Sequence, residues 1–346
     1  MISSVREWVI GAALTLGSIC LIYLAMEAYV EFFVDDGMQF DIEMWRYSNK
    51  IKKISSNSQI GHEHRPNAQA KLMGVDVKTN ALGLRNVDVA FAKPPKIRRI
   101  LMLGDSLAFG WGVPMDKTYS KQVESILRAQ GQAVEVINSG VGNFNTSMEV
   151  EYFFEHGLKL RPDIVVLNYF INDAEPMPTY STNVFNRNLR AYVYFASRLD
   201  AALRSAALGD NADWKQYYGS LYDEQKNAQG LGAVRSSVAR LAKYCRENGI
   251  QLLLANYPEL RQLKDYPFPN ADDFVRQVAK DNGIEYFSLL PSVIEKSPPS
   301  LWVTVPDPHP SVEAHTAFAR ALAPKLRGLM VSPLGGQPQS LSESGK

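Results

Sequence analysis

Five short apolar runs, at residues 100–103, 133–138, 163–168, 250–256 and 285–289, alternate with helix-like stretches over the later two-thirds of the chain. Runs this short and this apolar are what strands buried on both faces look like. The stretches between them, 119–129, 146–158, 233–247 and 271–282, carry helical spacing. Glycine follows three of these at the C-cap, as Gly131, Gly249 and Gly283. A last helix is expected over 312–329, with Ser311 as its N-cap. This alternation predicts a parallel sheet with helices on both faces.

In an open sheet of that kind, reactive groups gather at the carboxyl ends of the strands. The first run ends in Gly104-Asp105-Ser106-Leu107, where a serine hydroxyl is either a nucleophile or part of a helix-capping turn. After the second run comes Asn138-Ser-Gly-Val-Gly142-Asn143, whose glycines allow a turn with its amides in the crevice. After the third comes Asn172-Asp173. Beyond the fifth, Asp307-Pro-His309-Pro holds a histidine out of any helix, with an acid two residues earlier to orient its ring. A serine nucleophile needs such a base, an orienting acid and donors for the oxyanion.

These four stretches, in this order, resemble the blocks of the SGNH (GDSL-type) hydrolase superfamily, over about 98–329 with 176–230 standing outside as an insert. The resemblance implies a three-layer α/β/α fold with a five-stranded parallel flavodoxin-like sheet. It implies Ser106 as nucleophile, His309 as base and Asp307 as its orienting acid. The oxyanion would be held by the Ser106 amide, the Gly142–Asn143 backbone and the Asn172 side chain. Three departures stand out: Asn143 where a glycine is usual, Phe170 two residues before Asn172 where glycine is usual, and an Asp-to-His spacing of two rather than three. Asp105 reads as a structural hydrogen-bonding residue, and His156 and His315 as packing or surface residues. No cofactor or metal is implied. His62-x-His64 has metal-ligand spacing but no accompanying cluster, so both read as exposed loop histidines.

Ahead of this domain, residues 8–26 form an uncharged run of nineteen, about 28 Å long as a helix and so close to the hydrocarbon thickness of a bilayer. Arg6 precedes it and Glu27, Glu31, Asp35 and Asp36 follow, which predicts a cytoplasmic amino terminus. The length and the lack of a small-residue cleavage site favour an uncleaved single-pass anchor in the inner (cytoplasmic) membrane over a signal peptide, with the catalytic domain periplasmic. Residues 30–53 read as an amphipathic juxtamembrane helix on the membrane surface, and 54–97 as a lead-in with a hairpin near residues 74–85. Residues 98–330 are the hydrolase-like domain, and 331–346 a disordered tail. The insert carries nine aromatic residues from Tyr180 to Tyr222, read mainly as its own small core.

Lysine and arginine number 37 against 36 acids, so no basic field points to nucleic acid. Two cysteines, Cys20 and Cys245, lie in regions of different character and imply no disulfide framework. The expected activity is an ester hydrolase or O-acyltransferase acting on an acylated glycan or other ester. Its partners are the bilayer, through the anchor, and a membrane acyl-transfer partner if it transfers. The alternative is an inactive binding or assembly subunit with the same fold.

Overall fold

A computed structural model describes residues 2–178, 187–208, 214–305 and 307–331. Helix α1 (Ile2–Tyr29) is long enough to cross a membrane and none of its apolar span is buried: Trp8 is 81% and Leu14 66% exposed. A short π-helical turn (Val30–Val34) leads to α2 (Phe40–Lys50), then to strands β1 (Lys52–Ile54), β2 (His62–His64), β3 (Gln69–Leu72) and β4 (Val75–Lys78). Next come β5 (Arg98–Leu103), α3 (Ser106–Phe109), α4 (Tyr119–Ala129), β6 (Val134–Asn138), α5 (Thr146–Glu155) and β7 (Ile164–Tyr169). The insert contributes α6 (Arg190–Leu208) and α7 (Trp214–Leu221), followed by α8 (Glu224–Glu247) and β8 (Gln251–Asn256). The chain closes with α9 (Pro269–Asp281), β9 (Glu285–Ser288), β10 (Trp302–Thr304), β11 (Asp307–Pro310) and α10 (Val312–Val331).

The five predicted runs form one sheet, ordered β6-β5-β7-β8-β9, with every neighbouring pair parallel. Alternation along the strands divides the core. Leu101 and Leu103 pack on one face with Met148 and Phe153 of α5, Val238 of α8 and Val275 of α9. Ile100 and Met102 pack on the other with Val123 of α4 and Phe318 of α10. The result is the three-layer α/β/α arrangement. The order reverses at β5, so its carboxyl end opens into the crevice where such sheets bind ligands.

Three expectations change. Helix α2 packs its apolar side into the protein: Ile42 and Tyr47 are fully buried, and Tyr47 packs on Phe109 and Trp111 at ring-centroid distances of 5.1 and 5.6 Å. The lead-in hairpin lies upstream of the predicted place, pairing Leu72 with Val75 across Met73-Gly74. Both turn residues have positive φ, +46° and +73°, the two-residue geometry that matches strand twist. Third, the described residues of the insert pack against the rest of the chain. Trp214 and Tyr218 pack edge-on against Phe268, while Ala191 of α6 is buried with Val30 and Ile42. Tyr180 and, from residue 332 on, the predicted disordered tail lie outside the described residues; Val331, placed in that tail, ends α10.

Candidate active site

Strand β5 ends at Gly104, where a Cβ would come within 2.5 Å of Ala108 Cβ; glycine lets α3 fold back against the strand. Asp105 then caps α3, its carboxylate accepting the Leu107 N–H at 2.8 Å. That cap leaves Ser106 at the first helical position, where its own N–H has no intrahelical acceptor.

The histidine arrives on a different element. Residues 307–310 are an extended strand paired with β10, so positions i and i+2 face the same side. That geometry explains the spacing of two: Asp307 and His309 stand together because the segment is a strand. His309 Nδ1 lies 2.5 Å from Asp307 Oδ1, and His309 Nε2 lies 2.9 Å from Ser106 Oγ. Serine, imidazole and carboxylate thus form one continuous hydrogen-bonded chain. Burial pushes the Asp307 pKa up, but hydrogen bonds and charge from His309, with a further donor from Trp111, outweigh it and hold the carboxyl below its ordinary value.

Two residues of this cluster carried no role in the sequence reading. Trp111 Nε1 donates to Asp307 Oδ2 at 2.9 Å, so both carboxylate oxygens are held. Its loop is pinned by buried Arg85, which donates to the carbonyls of Phe109, Gly110 and Val113. Phe40 of α2 stacks on the His309 ring at 5.9 Å. The Gly110-Trp-Gly segment directly after the serine was a visible signal for Trp111. Phe40 lies 66 residues before Ser106, in a stretch that reads equally well as a membrane-surface helix.

Ser106, His309, Asp307 and Asn172 line one cavity of about 240 Å³, together with Phe40 and Phe170. Asn172 hydrogen-bonds the buried Asp105 carboxyl, whose pKa burial raises. Asp105 is therefore a fixed structural acid. Gly142 is a correction: its N–H donates to Tyr47 Oη at 2.9 Å, so it is not free for an oxyanion. Its carbonyl accepts from Lys52 Nζ at 2.6 Å and His62 Nε2 at 2.8 Å. Asn143 takes the left-handed conformation (φ +66°) that glycine usually fills, and its side chain accepts from Lys52 Nζ at 2.8 Å. Neither residue is among those lining the cavity at Ser106.

His62 and His64 are buried rather than exposed. Tyr47 Oη donates to His64 Nε2 at 2.6 Å, and His64 Nδ1 donates to the Gly83 carbonyl. His315 is buried against Tyr119, and His156 reaches Glu63 at 2.9 Å. Among the described residues no cluster of potential metal ligands occurs.

A parallel sheet of this order, with a serine just past the carboxyl end of β5, defines a three-layer α/β fold of the flavodoxin-like kind. The GDSL-like lipase/acylhydrolase family model matches residues 102–317, and the chain belongs to that family. Among solved structures it is similar to TesA, at 15% identity over 67% of this chain and 99% of that one, with a TM-score of 0.45. It is also similar to Axe2, an acetylxylan esterase from Geobacillus stearothermophilus, at 17% identity over 69% and 97%, TM-score 0.43. A third is the lipase/acylhydrolase from Enterococcus faecalis, at 13% identity over 69% and 100%, TM-score 0.43. No curated protein matches the chain.

Proposed function

We propose that the chain is a membrane-anchored serine esterase or O-acyltransferase acting outside the cytoplasm on an acylated glycan. The observation that carries this reading is the unbroken chain Ser106–His309–Asp307 at the carboxyl end of β5, opening into a cavity. Ser106 Oγ attacks the acyl carbonyl as His309 Nε2 takes its proton. The C–O bond to the alcohol then breaks, and His309 returns that proton to the departing oxygen. Water, or a second sugar hydroxyl, attacks the acyl-serine by the same route in reverse. The oxyanion is held by the Ser106 N–H and the Asn172 amide. Gly142, committed to Tyr47, is not among these donors. A cavity of about 240 Å³ falls below the roughly 300–1,000 Å³ typical of sites for drug-sized ligands, which suits a short acyl group.

The test uses the full chain in detergent, assayed on p-nitrophenyl acetate and labelled with a fluorophosphonate. Wild type turns over and labels; Ser106→Ala does neither, and His309→Ala loses at least 1,000-fold in kcat, in line with the roughly 10⁴-fold or greater losses seen on removing triad members. A wild type that neither turns over nor labels would instead favour an inactive binding subunit. For topology, alkaline phosphatase fused after Lys346 is active if Arg6 stays cytoplasmic and the domain is exported. An inactive fusion reverses the orientation.

A further inference from the structure

A second cavity, about 510 Å³ and so larger than the one at Ser106, opens beside it. Its wall carries Lys52, Lys53, Arg65 and Arg187, and no acidic side chain is among its lining residues. Lys53 is paired with Glu63 at 3.0 Å, but among the described residues no carboxylate pairs with Lys52, Arg65 or Arg187. Lys52 is the unusual member. It is 8% exposed, and its two hydrogen bonds go to neutral acceptors, the Gly142 carbonyl and the Asn143 side chain. An ammonium has three protons to donate, so one remains. Burial without a counter-charge is costly, and here it pulls the Lys52 pKa down to about 7. Arg65 and Arg187 are exposed around it, and Arg65 gives its Nε to the neutral Lys52 carbonyl.

The two cavities share a wall. Helix α2 places Phe40 in the ester cavity and Met44 and Ser48 in the cationic one. One and two turns further along, those residues sit about 6 and 12 Å down the helix axis. A ligand built of repeating units can therefore occupy both at once. We propose that the cationic cavity binds the carboxylate of an acidic sugar, in the same glycan whose ester is presented to Ser106. Guanidinium and carboxylate pair in a bidentate fork, which makes Arg65 and Arg187 the anchoring residues, with Lys52 as an inner donor beside them. This inference rests on reading Ser106 as the ester-cleaving serine.

The experiment is calorimetric titration of the full chain in detergent with trigalacturonate, with xylotriose as the neutral sugar, and with glycerophosphoglycerol, the soluble headgroup of phosphatidylglycerol. Trigalacturonate is expected to bind at least tenfold more tightly than xylotriose, and more weakly as salt is raised. Arg65→Gln with Arg187→Gln lowers its affinity at least tenfold, while the paired Arg→Lys variant, which keeps the charge, retains most of it. Equal affinity for the acidic and neutral sugars overturns the proposal. So does an undiminished affinity in the Gln variant, and so does binding to glycerophosphoglycerol alone, which would assign the anion to a lipid headgroup. Fluorophosphonate labelling of the same preparation reports on Ser106 separately. Labelling lost while trigalacturonate still binds sinks the esterase reading and leaves the anion site in place.

Discussion

Asp307 is held at both oxygens, by His309 on one side and the Trp111 indole on the other. A donor to a buried carboxylate is worth about 1.5–3 kcal/mol, and here its use is orientation: it keeps Asp307 aimed at the imidazole. Trp111→Phe keeps an aromatic ring against Tyr47 and removes the N–H together with part of the indole's volume. The expected result is a fall of about tenfold in kcat on p-nitrophenyl acetate with KM unchanged, since substrate does not touch the indole. An unchanged kcat would show that Asp307 is oriented by the β10–β11 pairing alone. Tyr47 acts in the same way on the other loop, accepting from Gly142 and donating to His64. Tyr47→Phe strands both partners in a buried site, and chemical denaturation should show a loss of about 1–3 kcal/mol. Among the candidate site residues, Ser106 and Asn172 were legible because each follows the end of a central strand, and Asp307 and His309 because prolines mark their segment. Gly142 was misread because its partner, Tyr47, lies 95 residues away, in a segment whose spacing says nothing about what it will cover.

At the scale of elements, the central strands were readable because burial on both faces leaves only apolar residues, and glycine or asparagine punctuates their ends. Helix α2 was not. Its aromatic and apolar positions fit a membrane surface as well as a protein groove, and only the fold shows which of the two it meets. It meets the groove: Phe40 stacks on His309, Ile42 joins Val30 and Ala191, and Tyr47 enters the core with Phe109 and Trp111. Ile42 and Tyr47 are fully buried, which for side chains of this size is worth about 1.5–3 kcal/mol each. A truncation that removes residues 1–53 therefore takes away part of the domain along with the anchor. The expected outcome is aggregation, with no fluorophosphonate labelling. The chain from residue 27 onward, which keeps α2 and the Glu27 carboxylate bonded to the Ala191 N–H, should elute as a folded species and label. If the shorter chain labels as well as the longer one, α2 is dispensable and its packing incidental.

For the molecule as a whole, acid stability is a contest between two sets of buried groups. His62, His64 and His315 are buried, and that burial, with nearby cationic charge, holds each pKa down at about 3. Unfolded, each takes a proton near its ordinary value of 6.5. Between pH 6.5 and 3 the unfolded chain therefore binds more protons than the folded one, and each histidine costs about 1.4 kcal/mol of stability per pH unit as pH falls. Asp105, Glu149 and Asp173 work in the opposite sense. Burial raises their pKa values, and both Glu149 carboxyl oxygens lack hydrogen-bond partners, which suits a neutral acid. The folded chain keeps protons there that the unfolded chain releases, so these acids add stability as pH falls through their raised values toward the ordinary carboxylate range. Because the wild-type curve is the sum of both sets, a single substitution is needed to isolate one. His64→Gln keeps an acceptor for Tyr47 and removes the titration. Urea unfolding of the chain from residue 27 onward at pH 6.5, 5.5 and 4.5 should give the variant a curve flatter by about 1.4 kcal/mol per pH unit. Parallel curves would mean that His64 takes up its proton while folded, and the hydrogen-bonded run from Gly142 through Tyr47 to His64 would then have to open below pH 6.5.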